Sequence, residues 1–344
     1  MTILRIAYVI IVAFVLMPAQ AKAVASDWRG DDAARVRLIA GVDAAGTQDK
    51  IPLGLEIKLG PEWHTYWRSP GMAGLPPQFD WKKSQTAEGN LKAATLLYPA
   101  PHRYTAYGLE TVGYRDHVVL PIDAELRRAG SALVIDAGLD LLICSQLCVP
   151  KHFDLKLDIP AGEAKESAEA ELVKEFRARV PGDTEKSGIR VVTVSTQGEN
   201  LLIDIDAAHE LEAPDIFIEN DKNIQFGAPI TILGADGHSA QFNLKPAEPL
   251  ESPMAGLPVT LTVVDGTHAL EQQTAVSAPA AASPAGIMPA HHVPSLTLVI
   301  LFALIGGFIL NLMPCVLPVL SLKVLSVVSH GGGETRVVRH SFLV

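Results

Sequence analysis

Short runs in which apolar and polar residues alternate recur from about residue 27 to residue 268, with Gly, Pro or Asp turns between them. A period of two is typical of half-buried β-strands. The clearest runs lie at residues 35–39, 53–59, 117–122, 133–143, 149–159, 189–194, 201–205, 216–218, 229–233, 240–244 and 259–264. This spacing predicts a mainly β protein with two successive β-sandwich domains, at residues 27–160 and 185–270.

One segment between the two predicted sandwiches has helical character instead. Residues 161–180 are rich in Ala, Glu and Lys, and they carry Leu172, Val173 and Phe176 at the spacing of an apolar helix face. We therefore expect a connecting helix at residues 161–182. After the second sandwich, residues 275–294 are rich in Ala, Pro and Ser and lack periodicity, which is typical of a linker.

The N-terminal segment has the pattern of a secretory signal peptide. One positive charge in residues 1–5 precedes an unbroken apolar run at residues 6–17, and small residues then alternate at positions 19, 21 and 23. We expect cleavage after Ala23, with Ala21 as the alternative. A membrane anchor is the weaker interpretation, because twelve apolar residues are too few to span a bilayer. The region that follows residues 1–23 is therefore predicted to be exported.

A second apolar segment, at residues 295–328, is long enough to cross a membrane. It contains Pro314 and Pro318, which remove backbone donors and interrupt a helix, and Cys315 lies between them. Irregular backbone at membrane depth is tolerated where protein or a water-filled cavity surrounds it. This pattern is consistent with a functional cysteine at a kink, and also with a proline kink that carries an incidental cysteine.

The charges beyond this segment predict its orientation. Lys323, Arg336 and Arg339 surround a triple glycine, and positive charge marks the cytoplasmic side of a span. Residues 329–344 are therefore expected to form a cytoplasmic loop and the start of a second helix, with the large N-terminal region on the opposite side of the membrane.

Composition excludes several classes of protein. The net charge of −10 argues against nucleic-acid binding, which requires a basic surface. Only 19% of the 344 residues are charged and the mean hydropathy is +0.24, in keeping with membrane-directed segments. Three cysteines are too few for a disulfide scaffold, so a disulfide here is expected to take part in chemistry rather than to stabilise the fold.

Cys144 and Cys148 are the densest chemical signal in the chain. Residues four apart along a strand are separated by about 13 Å, so the pair bonds only if the chain turns between them. The strand-like flanks at residues 133–143 and 149–159 predict a hairpin whose tip is residues 145–147. A short, accessible disulfide suits thiol exchange, whereas the alternative is a static staple. A metal site is disfavoured, because no further ligand follows at zinc-like spacing before His152.

Three motifs together resemble the DsbD family of membrane thiol:disulfide interchange proteins, and most closely its ScsB-like, copper-sensitivity-suppressor branch. They are GPEWHTYWRSPGMAGLPP at residues 60–77, the Cys144/Cys148 element, and NLMPCVLPVLSLK at residues 311–323. In that family electrons pass from cytoplasmic thioredoxin to a membrane domain with one cysteine in each of two helices. They continue to a periplasmic thioredoxin-like domain and then to an immunoglobulin-like N-terminal domain that reduces periplasmic proteins.

The resemblance implies a role for each cysteine and a set of partners. Cys144 and Cys148 would be the N-terminal redox pair, and Cys315 would be the first membrane cysteine. The partners would be a periplasmic thioredoxin-like domain or protein, a disulfide isomerase or cytochrome-maturation client, the remainder of the membrane domain and the lipid bilayer. The chain would lie in the bacterial inner membrane, with residues 24–294 in the periplasm as two immunoglobulin-like sandwiches followed by a transmembrane helical segment.

Two departures from the family pattern affect this expectation. DsbD proper separates its N-terminal cysteines by more residues than the three found here, which favours the ScsB-like branch. The sequence ends at Val344, before a second membrane cysteine and a thioredoxin-like domain. We therefore expect either a fragment or truncated product, or partners that supply the missing parts, and its status as an enzyme, a protein-disulfide reductase, stays open.

Aromatic residues offer a second candidate feature. Residues 98–108 resemble the family's loop that covers the active cysteines, so Tyr104 and Tyr107 would shield the thiols, although ordinary core or surface tyrosines fit as well. The aromatic residues of the 60–77 motif are expected to be core and turn residues of the sandwich: Trp63, Tyr66 and Trp67. The histidines are expected to be surface residues rather than copper contacts: His102, His291 and His292. No cofactor and no metal site is predicted.

Two functions follow from the sequence. The favoured one is periplasmic dithiol/disulfide interchange through Cys144 and Cys148, serving cytochrome c maturation or copper tolerance. The alternative is a non-catalytic, membrane-tethered binding module in which the hairpin disulfide is only structural.

Overall fold

The computed structural model describes residues 24–106 and 109–278. The predicted signal peptide, most of the linker, the membrane segment with Cys315, the cytoplasmic loop and Tyr107 lie outside these residues. Within the described part of the chain, neither helix has the length and apolar character needed to cross a bilayer.

The first half of the described chain is a sandwich of two antiparallel sheets. One sheet has the strand order β1-β2-β3-β9-β6, and the other has the order β11-β10-β4-β8-β7, with β5 paired to β10. The strands are β1 Arg29–Gly30, β2 Ala34–Ala40, β3 Lys50–Leu59, β4 His64–Gly71, β5 Gln78–Asp80, β6 Leu91–Leu96, β7 His102–Ala106, β8 Leu109–Arg115, β9 His117–Leu126, β10 Leu133–Cys144 and β11 Cys148–Ile159.

The second half is a smaller sandwich, with sheets in the orders β12-β13-β16-β15 and β14-β17-β18. Its strands are β12 Ile189–Gln197, β13 Asn200–Ala207, β14 Asp215–Asn220, β15 Ile230–Leu233, β16 Ser239–Leu244, β17 Pro258–Asp265 and β18 His268–Ala275. Each sandwich has its own apolar core, built from the inward positions of its alternating strands. The predicted mainly β fold is therefore confirmed.

The connecting segment differs from the prediction of one helix across residues 161–182. Helix α1 is Ala170–Ala178, and a single further turn, α2, is Thr184–Ser187. The preceding residues instead pair with the backbone of the first sandwich: Asp43 donates to the carbonyl of Lys165, and Ser167 donates to that of Gly41. These long-range hydrogen bonds satisfy the backbone without a helix, so tertiary pairing overrides the helical propensity of the composition.

The two sandwiches contact each other through β4 and β14. The ring of Trp67, which is fully buried, lies 5.8 Å from the ring of Phe217. Arg68 donates to both carboxylate oxygens of Glu219, with its Nη2 at 2.6 Å from Oε2. Because successive residues of a strand face opposite sides, Trp67 packs into the sandwich interior while its neighbour Tyr66 faces outward.

Candidate functional site

Four side chains form one row across the outer face of the six-stranded sheet. Cys148 on β11 pairs with Cys144 on β10, Cys144 pairs with His64 on β4, and His64 pairs with Arg115 on β8. Residues that are directly opposite in antiparallel strands project from the same face of the sheet. We name this set (Cys148, Cys144, His64 and Arg115) the disulfide row.

The β10–β11 hairpin brings the two cysteines together as predicted. Twelve register pairs run from Leu133↔Ile159 to Cys144↔Cys148, and the tip closes where Ser145 N–H donates to the carbonyl of Leu147. The two Cα atoms lie 4.1 Å apart and the sulfurs are bonded to each other. The cysteines therefore sit at the base of a three-residue tip.

The two sulfurs of this disulfide differ in their environment. Cys144 is 2% exposed, whereas Cys148 is exposed to solvent. Leu147 at the tip of the hairpin is 77% exposed. Cys148 is therefore the solvent-exposed residue of the pair, and Cys144 is the buried one.

Tyr66 makes the closest polar contact to the disulfide. Its hydroxyl donates to Cys144 Sγ at 2.8 Å and lies 3.8 Å from Cys148 Sγ. Burial raises the pKa of Tyr66, so the phenol keeps its proton and remains a donor at neutral pH. The arrangement places a hydrogen-bond donor on the sulfur that solvent does not reach.

Gly74 explains part of the 60–77 motif. It has φ +119°, and a Cβ atom built there would lie 2.2 Å from Cε1 of Tyr66. Only glycine allows the backbone to lie this close to the face of the ring. The chain after β4 therefore covers Tyr66, which is 2% exposed.

His64 is the second buried polar group of the disulfide row. It is 5% exposed, and its ring lies 5.4 Å from that of Tyr66 and 5.9 Å from that of Tyr104. The guanidinium of Arg115 lies 4.2 Å from the centre of the Tyr104 ring. Burial first, and the charge of Arg115 second, lower the pKa of His64, so the imidazole is neutral at pH 7.

A pocket of about 580 Å³ opens beside the hairpin tip. Trp63, His64 and Arg115 line one side, and Gln146 and Leu147 line the other. Its lining also includes Val149, so the residues on both sides of Cys148 in the sequence border the pocket.

A family comparison identifies the first sandwich. Residues 35–167 match the model for the N-terminal domain of the thiol:disulfide interchange protein DsbD. This match covers β2 to β11 and therefore includes the whole disulfide row. Residues 35–167 belong to the DsbD N-terminal domain family.

The remaining comparisons extend beyond this DsbD N-terminal domain. Residues 179–279 match a family described as a domain of unknown function, DUF8393. The crystal structure of the N-terminal periplasmic domain of ScsB from Proteus mirabilis is similar with a TM-score of 0.62 and 22% identity, covering 74% of this chain and 99% of that one. An endo-fucoidan hydrolase of glycoside hydrolase family 107 has a TM-score of 0.15, too low to indicate a shared fold. A search of curated proteins finds no match.

These comparisons support the resemblance seen in the sequence. The fold of the described residues is that of the ScsB periplasmic domain, and the first sandwich is a DsbD N-terminal domain. At 22% identity the likeness to the ScsB domain concerns the fold.

The predicted site residues of the DsbD N-terminal domain have different outcomes. Cys144 and Cys148 form the expected disulfide. Tyr104 has its ring 5.9 Å from that of His64 and beneath the guanidinium of Arg115, and its shielding role stays a prediction. Tyr107 and Cys315 lie outside the described residues. Among those residues, no group of three metal-ligating side chains is placed to hold a metal ion.

Sequence reasoning missed Tyr66 as a site residue. It was expected to be a core or turn aromatic, and it is indeed buried, but its hydroxyl contacts the disulfide. The available signal was the alternation of His64 and Tyr66, two aromatic side chains with polar atoms on one face of a single strand. That signal becomes specific only when β4 is known to lie beside β10.

Proposed function

We propose that the chain is a periplasmic thiol:disulfide interchange protein of the ScsB-like branch, and that Cys144 and Cys148 carry its exchange chemistry. One observation supports this most directly: the buried residue Cys144 accepts a hydrogen bond from Tyr66 on its sulfur, while Cys148 is an exposed residue. A purely structural disulfide requires neither the difference in exposure between Cys144 and Cys148 nor the hydrogen bond from Tyr66. The staple would also add little, because it closes a small loop at the end of a hairpin already paired along twelve positions.

The exchange begins with a donor thiolate that attacks Cys148 Sγ. A new bond forms between the donor sulfur and Cys148, the bond between Cys148 and Cys144 breaks, and its electron pair stays on Cys144 Sγ. Tyr66 stabilises the negative charge that develops on that sulfur, because hydrogen bonds to charged acceptors are the strong ones. A second donor thiolate then attacks the mixed disulfide, which oxidises the donor and leaves both cysteines reduced. Loading the pair in this way prepares the domain to reduce a client.

The partners are inferred from the family and from the pocket. A thioredoxin-like domain or protein would supply the electrons, and a periplasmic disulfide isomerase or cytochrome-maturation protein would receive them. Leu147 and Trp63 offer apolar contact area beside the exposed sulfur, and apolar and aromatic anchors of this kind dominate many interfaces. Service in cytochrome c maturation or in copper tolerance would depend on the client.

The location is inferred from the sequence. Residues 1–23 would direct export, residues 24–294 would lie in the periplasm, and residues 295–328 would cross the inner membrane. Cys315 would be the first membrane cysteine, exchanging electrons with the remainder of a membrane domain.

A redox titration with thiol trapping tests the proposal. The full chain carrying Cys315→Ser is equilibrated at a series of poised potentials, the thiols are alkylated, and the reduced fraction is measured. An exchanging pair should titrate above about −300 mV, whereas a structural bond should lie below that value. A pair that stays oxidised at thioredoxin-like potentials would favour the binding-module alternative.

Trapping provides a second, independent readout. With Cys144→Ser, a mixed disulfide between Cys148 and a thioredoxin-like partner should accumulate, because the resolving thiol is absent. The matched variant Cys148→Ser should trap far less, because Cys144 is buried. Equal trapping by both variants would refute the assignment of Cys148 as the attacked sulfur.

A further inference from the structure

His64 is a buried imidazole that the exchange described above does not use. Its Nδ1 has no hydrogen-bond partner within the described residues. Such an orphaned polar atom costs stability in the folded protein, so its retention calls for an explanation in another state of the site. His64 lies directly opposite Cys144, and Cβ atoms of such cross-strand pairs are about 4.5–5.5 Å apart.

Burial first, and the positive charge of Arg115 second, favour the neutral, proton-accepting form of His64. A single positive charge faces it from β8, two phenols face it from β4 and β7, and the cysteine pair faces it from β10 and β11. Glu62, in the turn before β4, lines the same pocket. The neighbours that carry these groups are Arg115, Tyr66, Tyr104, Cys144 and Cys148.

We propose that His64 is the base that removes the proton from the Cys144 thiol when Cys144 closes the disulfide and releases a reduced client. This inference rests on the proposed exchange function and deepens it. It assigns a residue to the step in which the domain gives its electrons away.

The chemistry balances in two steps. In the first, the Cys148 thiolate attacks a client disulfide, forms a mixed disulfide and releases one client sulfur. In the second, Cys144 loses its proton to His64 and attacks Cys148 Sγ, so that the internal disulfide forms and the second client sulfur leaves as a thiolate. His64 then returns its proton to that thiolate or to water in the pocket. The domain is oxidised and the client disulfide is reduced by two electrons.

Burial makes a base necessary for the second step. Cys144 is 2% exposed, and a buried thiol ionises less readily than one in water. Tyr66 stabilises the resulting charge but keeps its own proton, so it cannot accept one. His64 is the titratable side chain of the disulfide row that is neutral, buried and adjacent to Cys144.

A two-phase chromogenic assay separates the steps. The reduced full chain with Cys315→Ser is mixed with less than one equivalent of dithiobis-nitrobenzoate. The first nitrothiobenzoate ion reports attack by Cys148, and the second reports closure by Cys144. We expect His64→Gln to slow the second phase about 100-fold, the lower end of the range of general base catalysis, and to leave the first phase unchanged.

The pH profile distinguishes a base from a structural residue. The wild-type second phase should be independent of pH above neutrality and should fall in acid, at a pH below the ordinary 6.5 of histidine. With His64→Gln the rate should instead rise steadily with pH, as the free thiol ionises. Unfolding curves of His64→Gln and His64→Asn control for folding, and the wild-type profile is informative even if neither variant folds.

The outcomes distinguish the role of His64 from the exchange function of the cysteine pair. An unchanged second phase in His64→Gln, or a wild-type rate that rises with pH without a plateau, would overturn the role of His64 alone. Release of one nitrothiobenzoate ion per reagent molecule by the wild-type protein, instead of two, would show that Cys144 does not close the disulfide, and would overturn the proposed function itself.

Discussion

Replacing Tyr66 by phenylalanine should slow reduction of the disulfide by removing the donor to the leaving sulfur. The hydroxyl lies 2.8 Å from Cys144 Sγ, and the ring is 2% exposed, so the variant keeps the packing and loses one hydrogen bond. A hydrogen bond to a charged group contributes about 1.5–3 kcal/mol. If roughly half of the charge has developed on the leaving sulfur in the transition state, the barrier rises by about 0.8–1.5 kcal/mol. This corresponds to a rate about four- to twelvefold lower.

The assay is reduction of the oxidised chain by excess dithiothreitol, quenched with an alkylating reagent and resolved by the mass added to each thiol. A small reductant isolates the chemistry from partner binding. Tyr98→Phe is the matched control, because this half-buried tyrosine lies outside the disulfide row and burial, its main influence, raises its pKa to about 12. We expect the control to react at the wild-type rate.

Two results would refute this reasoning. Reduction of Tyr66→Phe at the wild-type rate would show that the hydrogen bond does not act on the leaving group. Equal slowing by Tyr98→Phe would indicate a general loss of order around the hairpin rather than a specific effect on Cys144.

Two further predictions concern stability. Gly74→Ala should lower the free energy of unfolding by about 2–4 kcal/mol, because a Cβ at φ +119° would clash with the ring of Tyr66. The control Gly256→Ala, at φ +80° with nothing within 4 Å of its Cβ, should lower it by about 1 kcal/mol. Denaturant unfolding measures both values, and equal losses of stability would contradict the clash. Burial alone would raise the pKa of Glu56. The hydrogen bonds with His117 and Arg37 outweigh burial, and the pKa of Glu56 falls to about 2. Because the folded pKa lies below the ordinary 4.5, this stabilisation is complete above pH 4.5 and is lost as the pH falls toward 2. Unfolding free energies across that window should therefore depend less on pH in Glu56→Gln, and an unchanged slope would count against the assignment.

Local sequence was sufficient for the features whose partners are close along the chain. The alternation in residues 133–143 and 149–159, with a short polar tip between them, predicted both the hairpin and the pairing of Cys144 with Cys148. Pairing across a three-residue tip leaves little freedom of register, because a slip by one residue would expose every buried side chain of the hairpin. For the same reason the mainly β character of the chain could be predicted from the strand pattern.

The connecting helix is shorter than predicted, at Ala170–Ala178 instead of residues 161–182, because composition is a weak guide when part of a segment has tertiary partners. Residues 161–169 have helix-forming side chains, yet Lys165 and Ser167 exchange backbone hydrogen bonds with the first sandwich. Propensity differences of a few tenths of a kcal/mol per residue do not outweigh such pairing. Only the folded chain brings Gly41 and Asp43, which follow β2, alongside these residues.

The site itself required the tertiary structure. Cys144 and Tyr66 lie 78 positions apart, and they meet because β4 pairs with β10 in a sheet whose order is not the order of the sequence. The same pairing makes His64 a neighbour of Cys144 and brings Arg115 alongside it. The sequence by itself determined the strands, the cysteine hairpin and the family resemblance, since these depend on local periodicity and short motifs. The exposed and buried sulfurs, and the donor and base beside them, were decided by sheet order and burial, which no local pattern encodes.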